Sequence, residues 1–453
     1  MRDGKLKEET KKLSVKEGIA AGIMDGAGVK YITPYALAIG ASNAQIGFLT
    51  SIPSLLGNFS QLFSYKAIEK FPRKKVIAVG VFLQALMWIP IIFLGYLFFF
   101  KGINHGFSAT LLILFYTLFT IFGSFISPAW NSLMKDDVDK DRGKYFGNRS
   151  RIIDFIGLIV MLVCGFILNF FSGINLFFGF MILFGIAFFS RLISAHLFNK
   201  HYEPKLKLEK RYYFSLWQFI KKVPESNFGK FTVGVALIHL GTYIASPFFS
   251  VYLLKELNLD YVVWTVIVVF NILGTLLFVP LWGKFADNYG NLKVVKWTGL
   301  LIPLIPLLWF FSFFVVKFNF FLAIIYLIGV EVFSGFVWAG FNLCARNFIY
   351  DAVTREKLAL CISYYNILSG ITVFIGATIG GAIASMNFNF FGIGPILFVF
   401  LLSAGLRFIF YFVLMPKVQE VRGVKEYKDG EFGRELREVL IPVPFRHVKF
   451  SHA

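Results

Sequence analysis

The stretch Gly283-Lys-Phe-Ala-Asp287-Asn-Tyr-Gly290-Asn-Leu-Lys293 has a diverged copy earlier in the chain, at Tyr65-Lys-Ala-Ile-Glu69-Lys-Phe-Pro72-Arg-Lys-Lys75. The offset is constant, because 287 minus 69 and 293 minus 75 both give 218. In both copies an acid is followed three residues later by a turn-forming residue and then by basic residues, with long apolar runs on either side. The repeat indicates two related halves that each make the same tight turn.

The composition places the chain in a membrane. Of its 453 residues, 57% are hydrophobic and 58 are Phe, which is too apolar for a soluble domain. A helix needs about 20 apolar residues to cross the hydrocarbon, and twelve stretches are long enough, at residues 15–38, 44–64, 76–100, 107–128, 152–171, 174–198, 231–254, 262–282, 294–316, 319–344, 359–385 and 393–415. We therefore predict an all-α polytopic membrane protein with twelve transmembrane helices in two six-helix bundles. A cleavable signal peptide is not expected, because the first apolar run carries Asp25 and Lys30.

The net charge of +19 would suggest a nucleic-acid partner in a soluble protein, but its distribution gives another explanation. If the N-terminus is cytosolic, the inward-facing segments hold 39 of the 45 Lys and Arg residues when Lys16 and Lys296, at the inner ends of two spans, are included, whereas the outer loops hold only Lys101, Lys255 and Lys317. This is the positive-inside pattern. It predicts a multi-pass plasma-membrane protein with both termini in the cytoplasm and no nucleic-acid partner.

The spans divide the chain into five parts. They are a cytosolic N-terminal segment (1–14), an N-terminal bundle (15–198), a central cytosolic loop (199–230), a C-terminal bundle (231–416) and a cytosolic tail (417–453). Within the loop, residues 215–223 suit either a short amphipathic helix on the inner leaflet or a solvated linker. The three cysteines show no pairing or metal-ligand spacing, and we predict no cofactor and no metal.

The six-plus-six arrangement and the repeated loop motif resemble the major facilitator superfamily over about residues 15–416. That family's loop signature is G-x-x-x-D-R-x-G-R-[KR]. In the second copy Gly283, Asp287 and Gly290 match it and Lys293 follows one position past its basic end, while Asn288 and Asn291 take basic positions.

The first copy is less well preserved. Arg73 begins the basic end, but Tyr65 and Pro72 replace glycines and Glu69 replaces the aspartate. The run from Ser127 to Met134, followed by Asp141-Arg142-Gly143, is also similar to the fourth-to-fifth junction of prokaryotic members.

The resemblance implies a non-enzymatic transporter that works by alternating access around a midplane site. Its loop motifs would then form a cytosolic gate, for which the candidates are Glu69, Arg73, Arg142, Gly283, Asp287 and Gly290. A solvated turn whose charges serve only topology is the alternative for Glu69 and Asp287. Segment four has no arginine and segment five has no G-P-x-x-G-G run, which disfavours drug efflux.

Polar residues within the spans fall on helical stripes, and polar groups inside a bilayer normally face a cavity or another helix. The resemblance implies that segments one, four, seven and ten line the cavity. Interhelical hydrogen bonding is the alternative. The stripes are Thr117, Thr120, Ser124, Ser127 and Asn131 in segment four; Glu331, Gly335, Trp338 and Asn342 in segment ten; His239, Tyr243, Ser246 and Ser250 in segment seven; Gly26, Lys30 and Thr33 in segment one; and Ser51, Ser54, Asn58 and Gln61 in segment two.

The ionisable residues carry the predicted chemistry. Glu331 lies near the midplane and is either a proton-coupling or substrate-binding acid or a structural partner of a neighbouring helix. On a regular helix Lys30 lies about 140° from Asp25, so we expect no simple pair along one face. Lys30 is predicted to contact an anion, with Asp25 as its cross-helix support or as a second proton acceptor. His239 is either a proton-transfer group or a neutral hydrogen-bond partner.

Three further charged residues are assigned structural roles. Arg191 and Arg407 are expected to snorkel to the inner interface, with a role as substrate ligands as the alternative. Asp154 is expected near the interface, paired with Arg149 or Arg151.

The sequence thus predicts a monomeric, proton-coupled secondary active transporter of a small solute in a lipid bilayer. An uncoupled facilitator and a drug efflux pump of the same fold are the alternatives. A multispan enzyme or receptor is disfavoured, because the chain has no H-E-x-x-H and no Gly-rich phosphate loop. The solute could be an organic anion, an amino acid, a sugar or a peptide.

Overall fold

The computed structural model describes residues 2–138, 142–204, 215–389 and 392–425, and these are largely helical. The first nine helices are α1 (Arg2–Ala27), α2 (Ile32–Ala38), α3 (Asn43–Lys70), α4 (Arg73–Leu86), α5 (Trp88–Lys101), α6 (His105–Phe125), α7 (Ser127–Asp137), α8 (Arg142–Ser172) and α9 (Leu176–Asn199). The next nine are α10 (Leu216–Lys222), α11 (Asn227–Ala245), α12 (Phe248–Val251), α13 (Tyr261–Tyr289), α14 (Asn291–Leu301), α15 (Leu304–Phe318), α16 (Phe320–Ala352), α17 (Arg355–Ala384) and α18 (Pro395–Leu414).

Each of the twelve predicted apolar stretches coincides with one helix or with two consecutive helices, and the seventh also takes in a π-helical turn, Tyr252–Glu256. Ten helical stretches in the described ranges are long and apolar enough to cross a membrane. Of the remaining two predicted spans, span one coincides with α1 and α2, and span two coincides with α3. α10 lies in the predicted central loop, where Ser215 caps its N-terminus.

Five of the spans are interrupted, three of them next to a glycine or a proline. In span one a short 3₁₀ turn, Val29–Tyr31, follows Gly28 and separates α1 from α2. Span seven breaks before Pro247 and span nine before α15 at Pro303, since proline lacks the N–H that an interior turn requires. Spans three and four break at Met87 and Ile126.

The helices form two compact units. Unit 1 comprises Met1–Arg211, His239–Val269 and Ser363–Ser403, and unit 2 comprises Tyr212–Ile238, Phe270–Ile362 and Ala404–Ala453. The boundaries of these units differ from those of the predicted bundles. Unit 1 also includes parts of α11, α13, α17 and α18, which belong to the predicted C-terminal bundle. The bundle boundaries near residues 198 and 231 remain a prediction.

Glycines permit the closest helix contacts inside each unit. In unit 1 a Cβ on Gly26 of α1 would overlap the carbonyl oxygen of Gly157 in α8. In unit 2 a Cβ on Gly335 of α16 would overlap the carbonyl oxygen of Asn271 in α13. Close approach through small residues is the usual way in which helices associate in membranes.

Candidate functional site

Unit 1 contains a cavity of about 330 Å³ between the 3₁₀ turn of span one, α2, α3 and α6. Its lining residues are Val29, Ile32, Thr33, Leu49, Thr50, Pro53, Ser54, Asn58, Tyr116, Thr120 and Ser124. Members of three predicted stripes, from segments one, two and four, therefore meet around one space.

The stripe of segment four does not face this cavity along its whole length. Thr117 is buried, and its hydroxyl donates to the carbonyl oxygen of Ile113 at 2.6 Å. Because α6 ends at Phe125, Ser127 and the exposed Asn131 belong to the separate helix α7. Neither of them lines the cavity.

Asp25 and Lys30 form an ion pair close to the cavity. Lys30 Nζ lies 3.8 Å from Asp25 Oδ2, and the two side chains are 41% and 48% exposed. This pairing differs from the expectation for a regular helix. The turn after Gly28 changes the direction of Lys30, and it brings the ammonium group back towards Asp25.

Asp154 of α8 lies within electrostatic range of both members of this pair. Its predicted pairing with Arg149 or Arg151 is wrong, since neither arginine forms an ion pair with it and Arg149 Nη2 instead donates to Glu17 Oε1 at 2.7 Å. The α1–α8 contact at Gly26 accounts for the proximity of Asp154 to Asp25. Two carboxylates and one ammonium group are therefore grouped in unit 1.

Tyr31, the last residue of the 3₁₀ turn, joins span one to two other helices. Its hydroxyl donates to the carbonyl oxygen of Met161 at 2.6 Å and lies 3.0 Å from Thr265 Oγ1. Its ring meets Trp264 edge-on at a centroid distance of 5.4 Å. A fully buried tyrosine thus fixes the turn that carries Lys30 against α8 and α13.

Glu331 lies in unit 2 and is 8% exposed. The indole Nε1 of Trp309 in α15 donates to its Oε1 at 3.2 Å, and Asn271 of α13 also contacts the carboxylate. Asn271 in turn donates to Ser334 at 3.0 Å. Neutral polar groups from two neighbouring helices, α13 and α15, therefore contact the carboxylate.

The other predicted site residues are divided between the two units. His239 and Tyr243 are half-buried on α11 in unit 1, with ring centroids 6.5 Å apart. Trp338 is half-buried in unit 2 and meets Phe341 edge-on, whereas Asn342 is exposed. Their roles remain predictions.

Arg73 forms a polar junction in unit 1 with two acids, Asp136 and Glu203. It is 1% exposed, and its guanidinium donates to Asp136 Oδ2 at 2.7 Å, to Ser132 and to the carbonyl oxygen of Pro204. Its backbone N–H donates to Glu203 Oε1 at 2.6 Å. The start of α4 is thus fixed both to α7 and to the segment that follows α9.

The second copy of the loop motif forms an equivalent junction in unit 2. Asn291 Nδ2 donates to Asp351 Oδ2 at 2.7 Å, and the backbone N–H of Leu292 donates to Glu420 Oε2 at 2.8 Å. The start of α14 is thus fixed to α16 and to the segment that follows α18.

The two junctions correspond residue by residue. Asn291 follows Arg73 by 218 positions (291 minus 73), Asp351 follows Asp136 by 215, and Glu420 follows Glu203 by 217. In each, an aspartate and a glutamate accept hydrogen bonds from the first residues of the third span. These four acids were not predicted from the sequence, although the repeat offset of about 218 connects both pairs.

The acids that were predicted for the gate lie outside these contacts. Glu69 and Asp287 are both exposed. Gly283 is half-buried in α13, and Gly290 has φ of +93° and lies against Glu420, where a Cβ would overlap the carboxylate. Arg142 begins α8, but its side chain lies outside the described part of the chain.

The expectation that Arg191 and Arg407 snorkel to the interface is wrong for both. Arg191 is buried and donates to Gln84 Oε1 at 2.8 Å, and Arg407 is buried and donates to the carbonyl oxygen of Ile302 at 3.1 Å. Interior acceptors hold these guanidinium groups, which a sequence argument could not foresee. In the described ranges, no group of three or more His, Cys, Asp or Glu residues is arranged to hold a metal ion.

The helical architecture and the paired junctions define a polytopic transporter with two related halves. A family model described as Major Facilitator Superfamily matches residues 19–225 and 231–450. The chain belongs to this superfamily. It is a non-enzymatic, multi-pass transmembrane transporter, and the predicted fold class is confirmed.

Solved structures of transporters share this fold. The nucleoside transporter NupG is 15% identical with a TM-score of 0.64, covering 91% of this chain and 98% of that chain. A bacterial homologue of the iron transporter ferroportin in an inward-facing state is 13% identical with a TM-score of 0.67, covering 90% and 98%. A bacterial homologue of the human lysosomal transporter Spinster is 17% identical with a TM-score of 0.59, covering 94% and 99%. No curated protein matches the sequence.

Proposed function

We propose that the chain is a secondary active transporter that moves a small solute by alternating access and couples this movement to protons. Glu331 is the proton acceptor in this proposal. The observation that carries it is a carboxylate, 8% exposed, inside a membrane-spanning helix and contacted by neutral groups. Among the residues that the structure describes, no Lys, Arg or His nitrogen lies within 4.0 Å of it.

The surroundings of Glu331 suit a proton that binds and leaves. An acidic side chain at mid-membrane costs about 2.5–3.5 kcal/mol to insert, and a bound proton removes that charge. Trp309 donates through an N–H that either form of the carboxyl group can accept. The same hydrogen bond can therefore persist in both protonation states.

The test uses Glu331→Gln in proteoliposomes with an imposed pH gradient. Uptake is measured for a labelled sugar, nucleoside, amino acid, organic anion and peptide. We expect the wild type to accumulate its solute with the gradient and Glu331→Gln to equilibrate it without accumulation, because the amide cannot take up the proton.

Glu17→Gln is the matched control. Glu17 is a similarly buried carboxylate, but Arg149 contacts it at 2.7 Å, so its loss should lower stability and leave the gradient response intact. Full gradient-driven accumulation by Glu331→Gln would disprove its role as proton acceptor. Wild-type uptake that ignores the gradient would favour an uncoupled facilitator.

The remaining roles extend this proposal. Asp25 serves as a second proton acceptor, because protonation would release Lys30 from the pair. The junctions around Arg73 and Asn291 lie at the cytosolic gate. The protein acts as a monomer in the plasma membrane with both termini in the cytoplasm, as the distribution of Lys and Arg predicts.

A further inference from the structure

The cavity in unit 1 combines many polar groups with no charge. Seven of its eleven lining residues are polar, and none of the eleven is charged. A charged solute in this space would lose hydration without gaining a counter-charge from the lining, which is costly. An uncharged solute with many hydrogen-bonding groups would lose much less.

Several hydroxyl groups of the lining are available to a solute. In the part of the chain that the structure describes, the side-chain hydroxyls of Ser54, Tyr116 and Ser124 make no hydrogen bond to the protein. The hydroxyl of Thr120 donates to the carbonyl oxygen of Tyr116 at 2.9 Å, so its oxygen remains an acceptor. Hydroxyl groups both donate and accept, and they match the hydroxyls of a solute in either direction.

The side-chain amide of Asn58 is a further polar group of the cavity lining. Asn58 lines the cavity, and Gln61 Nε2 lies 3.4 Å from its Oδ1. Asn366 of α17 donates to Gln61 Oε1 at 3.3 Å. Gly370 of α17 packs so closely on Asn58 that a Cβ there would lie 2.7 Å from Nδ2. A primary amide held in this way presents both a donor and an acceptor to a neighbouring hydroxyl.

The charged groups nearest to the cavity, Asp25, Lys30 and Asp154, lie outside its lining and together carry one net negative charge. Asp25 lies within electrostatic range of Tyr116, but Lys30 is 3.8 Å from Asp25. Asp154 is in range of both members of the pair, and none of the three residues lines the cavity. The lining therefore offers hydrogen bonds in preference to a charge partner.

We propose that this cavity binds an uncharged, polyhydroxylated solute of the size of a sugar or a nucleoside. Ser54, Asn58, Tyr116 and Ser124 hold its hydroxyl groups, while apolar lining residues and the Tyr116 ring cover its C–H face. The volume of about 330 Å³ lies at the lower end of the range for small-molecule sites, about 300–1,000 Å³, which fits a small solute. This inference rests on the proposed function, because the solute bound here is the one transported.

Equilibrium binding to the purified full-length protein tests the preference for an uncharged solute. D-Glucose, the cation D-glucosamine and the anion D-glucuronate share one pyranose ring and differ in charge, and uridine supplies a larger neutral probe. We expect glucose or uridine to bind at least about tenfold more tightly than either charged probe. Tighter binding of a charged probe, or binding of neither neutral probe at millimolar concentration, would overturn the proposal.

Two threonines on the same helix provide a matched pair of variants. Thr120 and Thr117 both donate to the carbonyl group four residues earlier, but Thr120 lines the cavity and Thr117 does not. Thr120→Val and Asn58→Ala should each weaken binding of the neutral probe by about tenfold, as expected for one lost hydrogen bond. Thr117→Val should change it less than about twofold. Equal weakening by both threonine variants would contradict the assignment.

The binding measurement needs no gradient, so the two proposals fail in different ways. A neutral solute that binds but is not carried into proteoliposomes would argue against transport of that solute and leave the cavity assignment intact. A charged solute that is accumulated by the pH gradient would disprove the substrate class and leave proton coupling intact.

Discussion

Replacing Arg73 with Met should destabilise unit 1 strongly. Met keeps much of the volume of the side chain and removes every donor. The guanidinium donates to Asp136, Ser132 and Pro204, and it is 1% exposed. Removing one partner of a buried ion pair costs about 3–5 kcal/mol, because the other charge is left without a partner.

The exposure of the partner decides where in that range the variant falls. Arg73 has two acidic partners, Asp136 at 38% exposure and Glu203 at 16% exposure. Water can solvate Asp136 once the guanidinium is gone, and Glu203 keeps its hydrogen bond from the backbone N–H of residue 73, so we expect a loss of about 3 kcal/mol. For a domain of 150–250 residues, 1 kcal/mol shifts the melting temperature by about 2–4 °C, which gives a decrease of roughly 6–12 °C. Thermal unfolding in one detergent at one scan rate measures this shift.

The second junction supplies the control. Asn291 occupies the position equivalent to Arg73, and its uncharged amide donates to the carboxylate of Asp351 at 2.7 Å. Asn291→Ala should cost about 1.5 kcal/mol, at the lower end for a hydrogen bond to a charged group, because Asp351 is exposed. If Arg73→Met lowers the melting temperature no more than Asn291→Ala does, the guanidinium is not the stabilising centre of its junction. A double-mutant cycle with Asp136→Asn should show a coupling energy above about 1 kcal/mol.

Three other variants test local features of unit 1. Burial, reinforced by the charges of Arg149 and Lys74, lowers the pKa of His201 to about 4. Between pH 6.5 and pH 4 the imidazole is therefore protonated in the unfolded chain but not in the folded one, so the free energy of unfolding should fall by about 2 kcal/mol from pH 7 to pH 5. His201→Phe should remove this pH dependence of stability in thermal unfolding. Tyr31→Phe removes a buried hydroxyl and should lower the free energy of unfolding by about 1 kcal/mol, which is within the range of hydrogen bonds measured in membranes. An unchanged melting temperature would contradict a stabilising role for this hydroxyl. Gly26→Ala should lower the free energy of unfolding by about 1–3 kcal/mol, and with it the melting temperature. Gly185→Ala should not, because a Cβ at Gly185 would meet open space. Equal effects of the two variants would refute the close α1–α8 contact.

The repeated turn allowed much of the fold to be predicted, because apolar length and charge asymmetry are local properties of the sequence. The offset of 218 pairs Arg73 with Asn291, and the structure places both in equivalent junctions. The acids that complete those junctions were missed. Glu203 and Glu420 lie about 130 positions from their partners, and no local pattern connects residues so far apart.

Helical stripes predicted the candidate site only where the helices are regular. Thr120 and Ser124 lie on an unbroken helix and line the cavity, whereas Asn131 falls beyond the break at Ile126. The 3₁₀ turn after Gly28 likewise brings Lys30 to Asp25 against the helical-wheel expectation. The Trp309 partner of Glu331 depends on how α15 packs on α16, which a single sequence does not specify.

The two junctions also constrain the order in which the protein can be completed during synthesis. The backbone N–H of Arg73 receives its acceptor from Glu203, and that of Leu292 from Glu420, 130 and 128 positions later. A ribosome must therefore translate six spans before the third of them obtains its final hydrogen bond. Each glutamate follows the last span of its set of six, so a chain that stops short of it leaves the start of the third span without its side-chain acceptor.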